Sequence, residues 1–173
     1  MYAHIDNMIK FEPSNVTIRP YRLQDIPLLV QCAAYEIPRL PNMRGEFVDP
    51  KRLTEVLTSN VNNDGYIMAR VLCDSHNIPV GGIMGYCVQK LYSYEYCAGD
   101  VFLFIEEHYR TLRNAIKLIE AYKAWALARK ASPIIATFTS GYKPNQMDKL
   151  IKMLGFETVG QIYYLRKRDG YGK

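Results

Sequence analysis

The sequence has no long apolar run and few residues of the kinds that build disulfides or metal sites. No stretch of about 18 apolar residues, the length that a membrane-spanning helix needs, occurs among its 173 residues. The N-terminal residues lack the apolar core of a secretory signal. The four cysteines share no metal-ligand spacing, and each lies in or beside an apolar segment: Cys32, Cys73, Cys87 and Cys97. We therefore expect a cytoplasmic protein with reduced thiols in its core and no bound metal.

The composition is that of an ordinary globular chain, with 49% hydrophobic and 23% charged residues. Its length suits one domain, for which we predict an arm at 1–14, a domain at 15–168 and a basic tail at 169–173. The net charge of +5 favours anionic partners such as nucleotides or coenzyme phosphates. No nucleic-acid-binding motif accompanies this charge, so nucleic acid is not an expected partner.

The spacing of apolar residues predicts ten elements in the order β-α-α-β-β-β-α-β-α-β. Helices are expected to begin at Asp25-Ile26-Pro27, at Asp49-Pro50, at Thr111 and near Met147, because Asp, Thr and Pro favour first turns. Strands are expected at 16–22, 66–73, 80–91, 100–105, 134–139 and 156–165. This order predicts an α/β domain with a single mixed, mostly antiparallel sheet flanked by helices.

The most informative segment runs from Ile105 to Ala115, where a buried strand ends and the longest helix begins. The first turn of a helix offers unpaired backbone N–H groups and the positive end of the helix dipole. Arg110, Arg113 and Lys117 add full positive charges. The pattern indicates an anion site, with one alternative: an exposed first turn whose arginines pair with neighbouring glutamates or with solvent.

The same segment resembles the acetyl-coenzyme A (acetyl-CoA) binding motif of the GNAT superfamily of N-acetyltransferases. Ile105, Arg110 and Ala115 match the family's strand-end Val, Arg and final small residue. The run Lys152-Met-Leu-Gly-Phe156 through Tyr163 is similar to the family's closing helix–Gly–Phe–strand signature. The resemblance implies a GNAT-type fold and an acyl-CoA-dependent N-acyltransferase that moves an acetyl group to an amine. Versions of this fold encoded by bacteriophages look similar, which suggests a phage origin.

The resemblance also implies a set of site residues. The implied cofactor contacts are Phe104, Ile105, Arg110, Thr111, Leu112, Arg113, Asn114, Ala115, Lys117 and Asn145. An amine must be neutral before it attacks a thioester, so a base is needed, and the candidates are Asp100 and Glu106. Tyr142 is the nearest replacement for the family's tyrosine general acid, whose place Ile151 takes.

Two departures from the family pattern support a second hypothesis. Arg113 occupies the place of a glycine that lets the backbone approach the pyrophosphate, and Ile151 occupies that of the catalytic tyrosine. The chain is then a catalytically inactive GNAT-fold protein that serves as a structural or interaction subunit, in a homo-oligomer or in a phage particle. Tyr92, Tyr94 and Tyr96 alternate in the predicted loop after the third strand, where they either receive an acceptor or a partner chain or pack across strands.

Overall fold

The computed structural model describes residues 15–43, 46–61, 63, 65–137 and 143–160. The predicted arm at 1–14, the basic tail at 169–173 and the candidate acid Tyr142 lie outside the described residues. The boundaries of the predicted domain therefore stay a prediction.

Within the described residues, five strands form one sheet in the order β1-β2-β3-β4-β5. They are β1 (Thr17–Pro20), β2 (Ile67–Cys73), β3 (Pro79–Gln89), β4 (Tyr96–Ile105) and β5 (Ile134–Ile135). The first four pair antiparallel, and β5 pairs parallel with β4. The predicted mixed, mostly antiparallel sheet is confirmed.

Four α-helices flank the sheet, at α1 (Ile26–Glu36), α2 (Pro50–Asn60), α3 (Leu112–Ala128) and α4 (Pro144–Met153). Asp49 caps α2 as predicted, because its carboxylate accepts hydrogen bonds from the amides of Lys51 and Arg52. The predicted stop at Gly155 is also confirmed: its φ is +87°, and the Phe156 amide returns to Ile151 O. Across the described part of the chain, every helix is too short or too polar to cross a membrane.

The sheet separates two apolar cores. One lies under α3 and α4 and contains Leu118, Tyr122 and Leu150, while the other lies under α1 and α2 and contains Leu29 and Leu57. Cys87 belongs to the first core and Cys73 to the second, and all four cysteines are free thiols. Both faces of the central strands are therefore buried, which explains their nearly continuous apolar sequence.

Strand β4 contains a β-bulge. Met84 pairs with Phe102 and Gly85 with Asp100, so Val101 has no partner on β3. Before the bulge the even-numbered Ala98 faces α3, and after it the odd-numbered Ile105 does so. The extra residue reverses the alternation of side chains along β4, so odd-numbered residues face α3 after the bulge.

Three sequence predictions need correction. Strand β4 begins at Tyr96, so 96–99 belong to the sheet and not to a loop, and Tyr92 and Tyr94 are exposed rather than packed across strands. Strand β5 has two residues instead of six, and the described start of the last predicted strand, 156–160, is not a strand. Asp25 does not cap α1, because its carboxylate binds the Arg19 guanidinium and the Arg22 amide instead.

Candidate active site

A pocket opens beside the end of β4, beyond the residues of β4 that pair with β5. Its volume is about 200 Å³. Four elements supply its walls: the end of α1 with the 3₁₀ turn that follows it, the end of β4, the start of α3 and the start of α4. The lining residues are Ala33, Glu36, Ile37, Leu40, Phe102, Leu103, Phe104, Ile105, Arg110, Thr111, Leu112, Ala115, Lys143, Gln146, Met147 and Leu150. A pocket at a strand edge offers backbone hydrogen bonds together with apolar contact.

The backbone of β4 presents polar groups to this pocket. The Glu106 amide donates to Val80 O on β3. Because backbone groups alternate in direction along an antiparallel pair, the N–H and C=O groups of Phe104 point toward β3, and those of Leu103 and Ile105 point away from it. Arg110 Nε donates to Ile105 O over 3.0 Å, which agrees with that direction. The N–H groups of Leu103 and Ile105 therefore face the pocket. The family resemblance implied cofactor contacts at Phe104 and Ile105 instead.

The first turn of α3 forms the end wall of the pocket. Thr111 is the N-cap, and its hydroxyl accepts from the Asn114 amide over 3.2 Å. The amides of Leu112 and Arg113, which start the helix, have no acceptor among the described residues. These two N–H groups, with the helix dipole behind them, lie where the sequence predicts an anion site.

Charge is distributed unevenly over the pocket wall. Arg110 precedes α3, Lys143 precedes α4 and Glu36 ends α1, and all three line the pocket. Arg110 Nη2 is 3.8 Å from Glu36 Oε2, with about 30% of each side chain exposed. At that distance and exposure the ion pair is weak, so it costs little to separate the two groups.

Some predicted cofactor contacts lie elsewhere. Lys117 donates from Nζ to Val16 O at the start of β1, because its side chain leaves α3 on the side away from the pocket. The Asn114 side chain is buried and donates to Tyr109 O, so it holds the turn before α3 together. Arg113 and Asn145 are exposed and do not line the pocket. Phe104, Ile105, Arg110, Thr111, Leu112 and Ala115 all line it.

The two candidate bases, Asp100 and Glu106, do not line the pocket. Asp100 is buried and accepts from both the amide and the hydroxyl of Thr137, which favours a structural role over that of a base. Glu106 is exposed just beyond the end of β4, next to the pocket but outside its lining. Tyr142 lies outside the described residues. Within the described ranges no group of three or more His, Cys, Asp or Glu residues is able to hold a metal ion.

Two carboxylates influence the Cys32 thiol, which lies one turn before the end of α1. Burial raises the pKa of the Cys32 thiol, and the negative charges of Glu106 and Glu36 raise it further. Glu36 lines the pocket, and Glu106 directly follows Ile105, which also lines it.

Sequence reasoning missed several pocket residues, above all Glu36, Lys143 and Met147. Glu36 is more than sixty residues from Arg110 in the chain, and no motif marks it. Lys143 adopts φ +44° as the residue before α4, in a turn that the sequence predicts without indicating its direction. The apolar stripe of α4 was the available signal for Met147, but it predicts a buried face and not a pocket.

Comparison with known proteins supports the fold through structure and not through sequence. No family model matches the chain, and no curated protein matches it in sequence. The structure is similar to a ribosomal-protein-alanine N-acetyltransferase from Brucella melitensis biovar Abortus 2308, with a TM-score of 0.64 and 16% identity over 88% of this chain and 99% of that one. It is also similar to a possible acetyltransferase from Clostridium difficile 630, with a TM-score of 0.65 and 12% identity over 88% and 98% of the two chains.

A third similar structure is an aminoglycoside acetyltransferase from an uncultured soil metagenomic sample, in complex with sisomicin. Its TM-score is 0.61, with 19% identity over 88% of this chain and 97% of that one. The protein has the fold of the GNAT acetyltransferases. The GNAT fold predicted from Ile105, Arg110, Ala115 and the Gly155-Phe156 stop is therefore confirmed, and identities this low show the fold alone.

Proposed function

We propose that the protein is an acyl-CoA-dependent N-acyltransferase that moves an acetyl group from acetyl-CoA to an amine. The observation that carries the proposal is the pocket beside the end of β4, whose lining includes the first turn of α3 and Arg110. Acetyltransferases of the same fold, among them the aminoglycoside enzyme, are consistent with this activity and with an amine acceptor.

The residues present fit an acyl-CoA. The amides of Leu112 and Arg113 would hold a phosphate group at the start of α3, and the Arg110 guanidinium would neutralise its charge. The outward N–H groups of Leu103 and Ile105 would donate to amide or carbonyl oxygens of the extended arm. When bound, the cofactor supplies the thioester that an amine attacks.

The acceptor amine must lose a proton before it reacts. For an aliphatic amine with a pKa near 10.4, the neutral form costs about 4.6 kcal/mol at pH 7, so a nearby base is useful. Glu106 is the candidate that we favour, because it directly follows the pocket residue Ile105 and is exposed, whereas the Asp100 carboxylate accepts two hydrogen bonds from Thr137. Tyr142 stays a candidate acid.

Calorimetric titration with acetyl-CoA tests the proposal. We expect binding, together with a rise in the free energy of unfolding of about 2.7 kcal/mol when the cofactor is at a hundred times its dissociation constant. Arg110→Ala should weaken binding roughly tenfold or more, since a charge-assisted hydrogen bond contributes about 1.5–3 kcal/mol. Arg52→Ala, which removes an exposed arginine on α2, is the matched control and should leave affinity unchanged. Absence of any binding would exclude the proposal.

A second candidate function is that of an inactive structural or interaction subunit, in a homo-oligomer or a phage particle. Three large side chains at the tip of the β3–β4 hairpin, Leu91, Tyr92 and Tyr94, are almost fully exposed, which favours contact with a partner chain. A stable stoichiometric assembly that forms without acetyl-CoA, seen by light scattering and lost in a Tyr92→Ser/Tyr94→Ser variant, would support it. Release of free CoA thiol by a monomer supplied with amines would exclude it.

A further inference from the structure

We propose that Glu36 competes with a phosphate of the cofactor for Arg110, and that this competition limits the affinity for CoA and speeds its release after transfer. The inference rests on the proposed function, since it names a regulation of the same pocket. It assigns a role to a residue that no motif in the sequence marks.

The pair of Glu36 and Arg110 joins two walls of the pocket. Glu36 is the last residue of α1, Arg110 directly precedes Thr111, the N-cap of α3, and both charged residues line the pocket. Nη2 of Arg110 is 3.8 Å from Oε2 of Glu36. The carboxylate therefore lies beside the guanidinium that would neutralise a phosphate.

The contact allows Arg110 to change partner. A distance of 3.8 Å is too long for a hydrogen bond, so the two groups attract each other only through their charges, with about 30% of each side chain exposed. Nε of the same guanidinium donates to Ile105 O over 3.0 Å. A change of partner at Nη2 can therefore leave the hydrogen bond at Nε in place.

A phosphate is a better partner for Arg110 than Glu36 is in this geometry. Phosphate oxygens accept charge-assisted hydrogen bonds from a guanidinium at about 2.7–2.9 Å. The amides of Leu112 and Arg113 at the start of α3 would donate to the same phosphate. Glu36 makes one longer contact, so Arg110 is expected to turn to the phosphate when the cofactor binds.

Binding of the cofactor therefore breaks the pair of Glu36 and Arg110. Glu36 then remains at the carbonyl end of the α1 dipole, in a last turn that contains no basic residue. Because the pair stabilises the free protein and not the complex, it lowers the affinity for CoA. CoA is also the product of acyl transfer, so the return of Arg110 to Glu36 favours product release, a step that limits the turnover of many enzymes.

The substitution Glu36→Gln tests the inference, because it removes the charge and keeps the size of the side chain. CoA should bind about two- to fivefold more tightly, since exposed pairs of this kind are weak, and most of the difference should lie in a slower dissociation rate. Calorimetry measures the affinity. Surface plasmon resonance with the immobilised protein measures the dissociation rate.

A double-mutant cycle separates competition for Arg110 from a general effect of charge. In an Arg110→Ala background the gain from Glu36→Gln should fall to less than half, because the pair is already absent. A gain of the same size in both backgrounds would overturn the inference. If the background variant binds CoA too weakly to measure, salt decides: the gain should shrink between about 0.1 M and 1 M salt, and a constant gain overturns the inference.

Glu120→Gln is the matched control, because it removes an exposed carboxylate on α3 that pairs with Lys123. It should change neither the affinity for CoA nor its dissociation rate. A purely structural role for Glu36 predicts instead that Glu36→Gln weakens CoA binding together with stability. Urea unfolding of each variant separates these two outcomes.

The inference is overturned if Glu36→Gln binds CoA with the affinity of the unaltered protein or more weakly. Binding of CoA to the unaltered protein in that case leaves the proposed function intact, so the two failures are distinguishable. If CoA does not bind to the unaltered protein, the proposed function fails, and inorganic pyrophosphate decides on Glu36 separately. Pyrophosphate should then bind more tightly to Glu36→Gln, and equal or absent binding overturns the inference as well.

Discussion

Asp100 and Thr137 hold β4 and the segment after β5 together at the point where the two strands stop pairing. Backbone pairing ends at Gly99 and Ile135, and the Asp100 carboxylate then accepts from the Thr137 amide and, over 2.9 Å, from its hydroxyl. A side chain thus continues the connection beyond the last backbone pair. The pocket is lined by the part of β4 that follows this link, from Phe102 to Ile105.

Asp100→Ala should therefore cost stability more than chemistry. It leaves two donors of Thr137 without their acceptor in a partly buried site, so we expect the free energy of unfolding to fall by about 1–3 kcal/mol. Asp100→Asn keeps one carbonyl acceptor, so its free energy of unfolding should fall by less than that of Asp100→Ala. Urea unfolding measures both, and a thiol-release assay at a temperature where the variants stay folded measures turnover. Loss of turnover in a fully folded Asp100→Asn variant would restore Asp100 as the catalytic base.

The buried pair of Arg19 and Asp25 predicts a specific dependence of stability on pH. The two side chains make two hydrogen bonds, of 2.6 and 3.0 Å, and Asp25 is only 4% exposed. Burial opposes the charge on the Asp25 carboxylate, but the hydrogen bonds from Arg19 and from the Arg22 amide outweigh it, so the pKa of Asp25 lies below its ordinary value of 3.8. The contribution to stability is then complete above pH 3.8 and is lost as the pH falls through the lower folded pKa.

Asp25→Asn should lower the free energy of unfolding by about 3 kcal/mol at pH 7, because it leaves the buried Arg19 charge without its partner. The difference from the unaltered protein should shrink as the pH falls below 3.8. Denaturant unfolding at pH 7, 5, 4 and 3 provides the measurement. Asp148→Asn, which breaks an exposed pair with Lys152 on α4, is the control and should change stability by less than about 0.5 kcal/mol. A difference that does not depend on pH would contradict the assignment.

Local signals explain which parts of the molecule the sequence predicts. The cap at Asp49, the start of α3 at Thr111 and the stop at Gly155 each depend on residues within one helical turn, and all three are found where the sequence places them. Hydrophobic periodicity likewise predicts the helices and the central strands. The fold follows from these local features, because their order along the chain admits few arrangements.

The parts that sequence did not predict depend on residues far apart in the chain. Lys117 and Val16 are 101 residues apart, so nothing near Lys117 in the sequence shows that its ammonium donates to a carbonyl just before β1 instead of lining the pocket. The bulge at Val101 follows from the register of β3 against β4, which alternation alone does not determine. Glu36 lines the pocket together with residues of β4 and α3 that are more than sixty positions away in the chain. The pocket residues at the start of α3 were predictable from local sequence, and those of α1 and the start of α4 were not.

Gly85 has to be glycine because the ring of Tyr122 lies against it. A Cβ atom at Gly85 would lie 2.6 Å from Cε2 and 2.8 Å from Cδ2 of Tyr122, closer than side chains approach one another. The ring cannot move aside easily, since it is fully buried and its hydroxyl is bound to Ile135 O. We expect Gly85→Ala to lower the free energy of unfolding by about 1–3 kcal/mol in a denaturant titration.

Gly160→Ala is the matched control for this prediction, because no atom of the described residues lies within 4 Å of a Cβ placed there. It should leave stability unchanged within about 0.5 kcal/mol. In a Tyr122→Leu background the smaller side chain should reduce the cost of Gly85→Ala, which a double-mutant cycle would detect as coupling. Additive effects of the two substitutions would show that the Tyr122 ring is not what excludes a side chain at Gly85.

The hydroxyl of Tyr122 anchors the short strand β5, and its ionisation predicts a loss of stability in alkali. It donates to Ile135 O over 2.8 Å, and burial, followed by the nearby charge of Asp100, raises the pKa of Tyr122 well above its ordinary value of 10.0. The phenol therefore stays protonated in the folded protein while it ionises in the unfolded chain above pH 10. The stabilising contribution is complete below pH 10 and is lost as the pH rises toward the folded pKa.

Tyr122→Phe should cost about 1 kcal/mol near pH 7 through the lost hydrogen bond. Above pH 10 the free energy of unfolding of the unaltered protein falls by about 1.4 kcal/mol per pH unit through Tyr122, and the Tyr122→Phe variant has no such loss. The two free energies should therefore become equal near pH 11. Urea titrations at pH 7, 9, 10 and 11 follow the difference, with Tyr94→Phe, whose side chain is 94% exposed, as the control. A Tyr122→Phe penalty that stays constant up to pH 11 would show that this phenol ionises as readily in the folded protein as in the unfolded chain.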